Sequence, residues 1–522
     1  MSRLAVIPWV LSLAGLAAAD VPDLLRFTNG DQLHGAFLGI KEGPQAIWRH
    51  DDLAAPVDFK TAQLRHIILQ GGRPLKPLAS LSHLGLVNGD RIPGTITGIT
   101  SDMIILDTPY AGVLRIPRKQ VSMLAPNPLG GRVYYHGPFV ENEWKMAHPS
   151  YPDGLPPASP EGDEKKAPDK KDPERHHDRA DQKDLAEPGR WVFSGSAWYW
   201  QSKRTGTALI RETGMPDRAI LRFDLAWKNR LSMAFGFHAD FARPKPAEGE
   251  DNQGAGVKGR PIVPGDSADL PRLFGNSFVL QLHSSYLMLF RTAVDAQGKA
   301  SVERIQLNNN NHLRLAEMSQ AKVEVRSNRH TGGITLFVND EFVAQWSENG
   351  VAGHAGGDFA GKGSGFGFLV QGDDTPVRIS DIVVSEWNGM PDSARSLQVD
   401  DQDVILMANG TDRFAGQVGR LDEHGKVLFE GRHGQFQFPL DEVAEIRFAR
   451  DRLAPVAAEP AENFVVRLSP VGSISGRPVS GDGSMIGIIN PIAGELNLSL
   501  ESAVMLDFNS SKQIIDDWDA DF

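Results

Sequence analysis

The sequence contains no cysteine. That excludes a disulfide framework, thiolate zinc sites, Cys-ligated iron–sulfur clusters and a cysteine nucleophile. Beyond residue 19 no apolar run reaches the ~20 residues that a membrane-spanning helix needs. Familiar catalytic signatures are missing too: there is no G-x-S-x-G elbow, no H-E-x-x-H and no Walker loop. A basic surplus is also lacking. Asp and Glu number 66 against 54 Lys and Arg, a formal net charge of −12. Duplex nucleic acid is bound by clustered cations that neutralise phosphates, so no nucleic-acid partner is expected.

What is abundant is turn chemistry. The 522 residues include 53 Gly and 34 Pro beside 41% hydrophobic residues. That combination reads as a turn-rich, all-β globular chain, too long for a single core. The N-terminus reads as an address. Arg3 precedes the apolar run Leu4 to Leu16, and Ala17, Ala18 and Ala19 precede Asp20. This predicts a signal peptide over 1–19, an exported protein (periplasmic, cell-surface or extracellular) and no transmembrane anchor after cleavage.

One small unit recurs four times. Arg26-Phe27-Thr28-Asn29-Gly30-Asp31 leads to Gly35, and Leu86-Val87-Asn88-Gly89-Asp90 leads to Gly94. Met407-Ala408-Asn409-Gly410-Thr411-Asp412 leads to Gly416, and a degraded copy, Val471-Gly472-Ser473, leads to Gly476. Asn-Gly between alternating apolar runs predicts a two-residue hairpin turn with φ > 0 at both positions. The later glycines suit a bulge or sharp strand bend. The copies close alike, on Leu69, Leu124, Phe448 and Phe508, which follow those glycines by 34, 30, 32 and 32 positions. Three to five short strands per copy predict small SH3-like or Sm-like barrels. The copies lack a basic stripe with stacking aromatics, so protein or self-interaction suits them better than RNA. The Asn/Asp pairs Asn29/Asp31 and Asn88/Asp90 are read as hairpin tips, not metal ligands. The pattern resembles repeat modules of secreted planctomycete and verrucomicrobial proteins.

Between the two pairs of repeats the chain changes twice. Residues 149–188 alternate charges with prolines and hold almost no apolar side chain, which predicts a disordered linker. Residues 189–390 carry many period-2 segments, among them Ala219 to Trp227, Met233 to Phe241, Phe278 to His283 and Ala321 to Arg326. These predict an antiparallel sandwich, with Pro244 to Pro271 as a mobile insertion. The run Ile334-Thr335-Leu336-Phe337-Val338-Asn339-Asp340, Trp346, Gly365-Phe366-Gly367-Phe368 and Val377 to Gly389 resembles the C-terminal half of concanavalin A-like, laminin-G-like jelly rolls. The flavour is that of the bacterial 3-keto-disaccharide hydrolase-like family. The resemblance covers about 200 residues, is one of fold, and implies a carbohydrate ligand on a concave sheet.

The expected architecture is therefore all-β: a central antiparallel jelly-roll sandwich (189–390) flanked by two pairs of small SH3/Sm-like β-barrel repeats. The repeats fall at 20–80, 81–148, 391–455 and 456–522. Either pair is free to pack together, and the linker would let the first pair move against the rest.

No strand carries the same-face carboxylates that glycoside hydrolysis on a jelly roll would use. No catalytic residue and no metal ligand is assigned from sequence. The candidate ligand site is a polar face: Arg222 and Asp224 share one side of a strand, as do His238 and Asp240, and Gln281 and His283. Adjacent strands would gather these six for sugar hydroxyls, with Trp198, Tyr199 or Trp200 stacking on a pyranose. His238 or His283 with Asp240 would be the acid/base pair of an enzymatic alternative. No cofactor is expected; calcium at Asp373-Asp374 would need further oxygen ligands. The leading reading is an exported, non-catalytic carbohydrate-binding or adhesion protein, with a glycan or cell-envelope protein as partner. The alternatives are an envelope scaffold working through the repeats, and a sugar hydrolase or lyase.

Overall fold

The computed structural model describes residues 21–149, 151, 155, 188–202, 206–245, 269–305, 309–310, 315–339, 341–347, 361, 363–372, 375–389, 400–455 and 464–508. The expected signal peptide, most of the expected linker, most of the insertion and Asp373-Asp374 lie outside these residues. The described chain is almost entirely antiparallel β structure.

Each sequence repeat folds as short strands closed by a 3₁₀ turn before the last strand, at Thr61–Gln63, Arg118–Gln120, Leu440–Glu442 and Leu500–Ser502. The last strand returns to the first in every copy: Leu25↔Ile67, Leu86↔Val121, Ile405↔Ile446 and Val466↔Leu506. The opening turn differs from the expected two-residue form. Phe27 N–H bonds Asp31 O at 2.9 Å and Gly30 N–H bonds Phe27 O at 3.2 Å. Only the glycine takes positive φ, 94° at Gly30, 91° at Gly89 and 77° at Gly410. This is the three-residue loop with a glycine bulge, where the asparagine stays on the left of the φ map. Asn29 and Asn88 instead reach across the tip to Asp31 and Asp90. The later glycines serve backbone proximity. A Cβ on Gly35 or Gly416 would collide with the carbonyl of Arg49 or Glu430 on the next strand. The register shift comes a few residues further on, for instance between Phe37 and Gly39.

The repeats do not pack as neighbours in sequence. The last strand of the first, Leu64–Ile68, pairs with the last strand of the fourth, Ala503–Phe508, at Ile67↔Leu506. The second and third pair likewise at Leu124↔Ile446. The fourth also meets the first at Gly39↔Asp482 and the second at Arg91↔Ser473. One hydrophobic core runs through all four, from Leu25 and Ile67 through Leu124 and Ile446 to Leu506. A first pair free to move against the rest is thus ruled out. Terminal strands leave unpaired backbone edges, and these edges satisfy one another across the chain.

The central domain is a two-sheet sandwich, with nine and seven strands among the described residues. Period-2 alternation places Leu221, Phe223 and Leu225 from one sheet against Met233, Phe235 and Phe237 from the other. Two strands that the sequence reading puts in the second repeat belong here: Val133–Gly137 pairs with Val377–Glu386, and Lys145–Ala147 with Ala208–Arg211. The second repeat ends near Ala125, and the chain enters the sandwich before the charged stretch. The end of the expected insertion forms a short helix, Leu270–Phe274. Its Leu270, Leu273 and Phe274 cover Ala234, Val279 and Phe290 on the outer face of the seven-stranded sheet.

Candidate binding site

The six expected polar residues do not form one patch. Arg222 and Asp224 sit on Arg218–Trp227 in the nine-stranded sheet, whereas His238, Gln281 and His283 sit on Ser232–Ala239 and Ser277–His283 in the seven-stranded one. The strands alternate as expected, but sequence alone did not say which strands are neighbours.

His238 is the clearest departure. Its φ is +52°, at a register shift between Phe237 and Ala239. That bulge takes His238 out of the outward series, and its Nε2 lies 2.8 Å from Ser327 Oγ on the opposite sheet. The ring is fully buried, and burial pushes its pKa down to about 3. It is a neutral tie between the sheets. Asp240 is spent on the local backbone, accepting from Ala242 N–H at 2.9 Å and Asn276 N–H at 2.8 Å. The expected His/Asp acid–base pair is therefore not assembled. The stacking expectation also fails. Trp198, Tyr199 and Trp200 are 1%, 1% and 0% exposed, the two indoles inside the sandwich and Tyr199 under Arg378.

Gln281 and His283 do face outward together, because Leu280 and Leu282 alternate into the core. Gln371 joins them: its N–H bonds Ser232 O at 2.9 Å, and Ser232 pairs with His283. Gln281 is fully buried, yet neither amide atom has a hydrogen-bond partner among the described residues. Gln371 Oε1 and His283 Nε2 are buried and likewise unpartnered among the described residues. Burial lowers the pKa of His283, which keeps the ring neutral with one donor and one acceptor. Tyr286 stacks on it at 4.3 Å between ring centroids and is half exposed. Each buried, unmade hydrogen bond costs about 1–3 kcal/mol, so such a cluster is retained where something else satisfies it.

Arg222 and Asp224 face a different space. A cavity of about 890 Å³ separates the outer face of the nine-stranded sheet from the block of repeats. Arg222, Lys322 and Asp381 line it from the sandwich, and Arg91, Arg447 and Arg467 from the repeats. Arg222 Nε donates to Glu324 Oε2 at 3.0 Å, and Arg326 Nε donates to Glu324 Oε1 at 2.5 Å. Burial opposes the charge of Glu324, but the two guanidiniums outweigh it and lower its pKa. Asp381 enters through a second bulge: its φ is +46°, at the register shift that falls between Arg222 and Asp224. His136 Nε2 lies 3.1 Å from Asp381 Oδ1. Burial would raise the pKa of Asp381, yet His136 and the more distant Arg467 hold it below the carboxylate range. Asp224 goes the other way, pushed up to about 7 by burial and by the Asp381 charge.

Sequence reasoning missed Glu324, Gln371, Asp381 and Arg91. Glu324 lies on a strand already recognised, but its place opposite Arg222 depends on which strands pair. Asp381 was not legible, because a bulge has no period. No group of three or more metal-ligating side chains occurs among the described residues.

No family model matches the sequence, and no curated protein does. Solved structures give sandwich likenesses. One is a Bacillus subtilis protein of unknown function with a galectin-like fold, 13% identical, covering 49% of this chain and 96% of that one, with a TM-score of 0.26. Another is the carbohydrate-binding module CBM66 from Bacillus subtilis, 11% identical, covering 38% and 92%, with a TM-score of 0.21. A third is the Caenorhabditis elegans galectin LEC-6, 12% identical, covering 33% and 84%, with a TM-score of 0.16. Likeness at this level assigns neither ligand nor activity.

Proposed function

We propose that this is an exported carbohydrate-binding protein, non-catalytic at its sugar site, which lies at the Gln281–His283–Gln371 end of the seven-stranded sheet. The observation that carries the reading is the set of buried, unpartnered polar atoms on those three side chains. An amide offers donors and an acceptor, and a neutral imidazole offers one of each, the mixture that vicinal sugar hydroxyls match. The Tyr286 ring on His283 supplies an aromatic edge where the cluster meets solvent. Export rests on the Arg3 to Ala19 pattern alone. The test is a glycan array with the full-length protein, with and without calcium, beside Gln281→Leu, which keeps the volume and removes the amide. Binding that falls at least tenfold in Gln281→Leu supports the site. A blank array, or equal binding by the variant, refutes it.

Turnover of a sugar, the hydrolase or lyase alternative, has one supporting observation. Asp224 and Asp381 adjoin, and their surroundings push their pKa values apart, the relation expected of an acid and a base. Release of reducing sugar that is lost in both Asp224→Asn and Asp381→Asn would carry it. The scaffold reading has less behind it, since the terminal strand edges of the repeats pair within the chain.

A further inference from the structure

The cavity between the repeats and the sandwich lies apart from the sheet cluster, and its walls are rich in cations. Seven Arg and Lys side chains line it, in a protein whose net charge is −12. Five of the seven have partners. Arg73 and Arg211 share Glu143, at 2.5 and 2.9 Å. Arg222 holds Glu324, Arg447 holds Glu445 at 3.0 Å, and Arg467 holds Asp507 at 2.5 Å. Arg91 and Lys322 have no hydrogen bond or ion pair from their side chains among the described residues, although Lys322 stands opposite Asp224 on the next strand.

Arg91 is the more telling of the two. It sits on Arg91–Pro93, where the second repeat touches the fourth, and projects toward the sandwich wall that carries Arg222. Its side chain is exposed, with Glu445 favouring and Arg222 opposing its charge across the cavity. Glu445 is already engaged by Arg447, and Glu324 by Arg222 and Arg326. Two guanidiniums thus face one cavity, with Glu445 and Glu324 engaged by other arginines. A planar fork of N–H donors with no acceptor is the group that binds an oxyanion in two-point geometry. A second orphan donor is present: Trp387 lines the cavity, is 8% exposed, and its indole N–H has no partner among the described residues. Tyr134 lines the same space and is 43% exposed, adding an aromatic surface. The volume, about 890 Å³, is that of a site for a molecule larger than a free ion.

We propose that this interdomain cavity binds an acidic saccharide, its carboxylate or sulfate group held by Arg91 and Lys322 and its body lying along Tyr134 and Trp387. The proposal stands apart from the sheet site: it needs neither Gln281 nor His283. Because the cavity walls come from both the repeats and the sandwich, the ligand would hold these two parts together.

The experiment is calorimetric titration of the full-length protein with inorganic sulfate, glucuronate, a sulfated disaccharide and its unsulfated parent, at constant ionic strength. The expected result is binding of the sulfated disaccharide or of glucuronate, weaker binding of sulfate, and none of the neutral parent. Arg91→Gln and Lys322→Gln should each weaken the acidic ligand at least tenfold. Arg91→Lys should recover part of the loss, and Gln281→Leu should bind the acidic ligand like the wild type. Should Arg91→Gln fail to fold, Lys322→Gln and Arg91→Lys still decide the matter. Equal affinity for the sulfated and neutral disaccharides would overturn the proposal. So would binding of sulfate alone, or undiminished binding in Lys322→Gln and Arg91→Lys. Failure of the neutral-glycan array leaves this result untouched, so the two readings fail separately.

Discussion

Asp90 accepts a hydrogen bond from Asn490 Nδ2 at 2.9 Å, although 400 residues of chain separate them. The same carboxylate takes Ser475 N–H and Oγ–H, both at 3.0 Å, and Asn88 Nδ2 at 3.0 Å. It is 5% exposed. The hairpin tip of the second repeat is thereby a plug in the fourth. The equivalent Asp31 in the first repeat is exposed and, among the described residues, bonds only within its own tip.

That difference sets the first prediction. Asp90→Ala strands several buried donors and should cost about 2–4 kcal/mol in the unfolding transition of the repeat block. Asp31→Ala, at the same motif position, should cost no more than about 1 kcal/mol. Urea unfolding of both variants, followed by intrinsic fluorescence, makes the comparison.

The second prediction concerns acid. Folded His238 has a pKa near 3 and His83 one near 4, both because burial disfavours the charged ring. As pH falls below about 6.5 the unfolded chain binds protons at these rings that the folded chain refuses, so stability declines. His83→Gln should flatten the fall in Tm between about pH 6.5 and 4. His238→Gln should flatten it too, from a lower starting Tm, because the bond to Ser327 is altered.

Asp224 gives the opposite sign. Its folded pKa, about 7, lies above the ordinary carboxylate value because of burial and Asp381. Between about pH 4 and 7 the folded chain keeps a proton that the unfolded chain has released, so this group's contribution is full in acid and lost as pH rises. Asp224→Asn should therefore raise stability by about 1–2 kcal/mol near pH 8 and leave it little changed near pH 4. Paired thermal melts at the two pH values read this directly.

Trp198 supplies the fourth. As an indole packed between the sheets, Trp198→Ala should cost about 3–5 kcal/mol of stability. Where the variant remains folded, its affinity for any glycan bound by the wild type should stay within twofold. A surface stacking residue would show the reverse pattern.

Much of this was legible in the residues. Period-2 runs such as Ala219 to Trp227 marked the strands and their buried faces, because successive side chains on a strand point to opposite sides. Three Asn-Gly tips and four matched endings marked four copies of one unit. The site was legible only in part. Gln281 and His283 were placed on one face correctly, since no irregularity interrupts their strand. His238 and Asp381 were not, because a bulge inserts one residue and turns a side chain without any local signal in a single sequence.

Local alternation, turn chemistry and charge thus determined by themselves that this chain is all-β, that it repeats a small unit and that its middle is a sandwich. Only the tertiary structure decided which edges meet. The first repeat closes on the fourth and the second on the third, because exposed backbone edges find partners by shape and register, not by distance along the chain. The same choice set the repeats against the sandwich and put Arg91 opposite Arg222, on one cavity. No spacing in the sequence records that meeting, since the residues belong to separate domains whose approach is a property of packed surfaces.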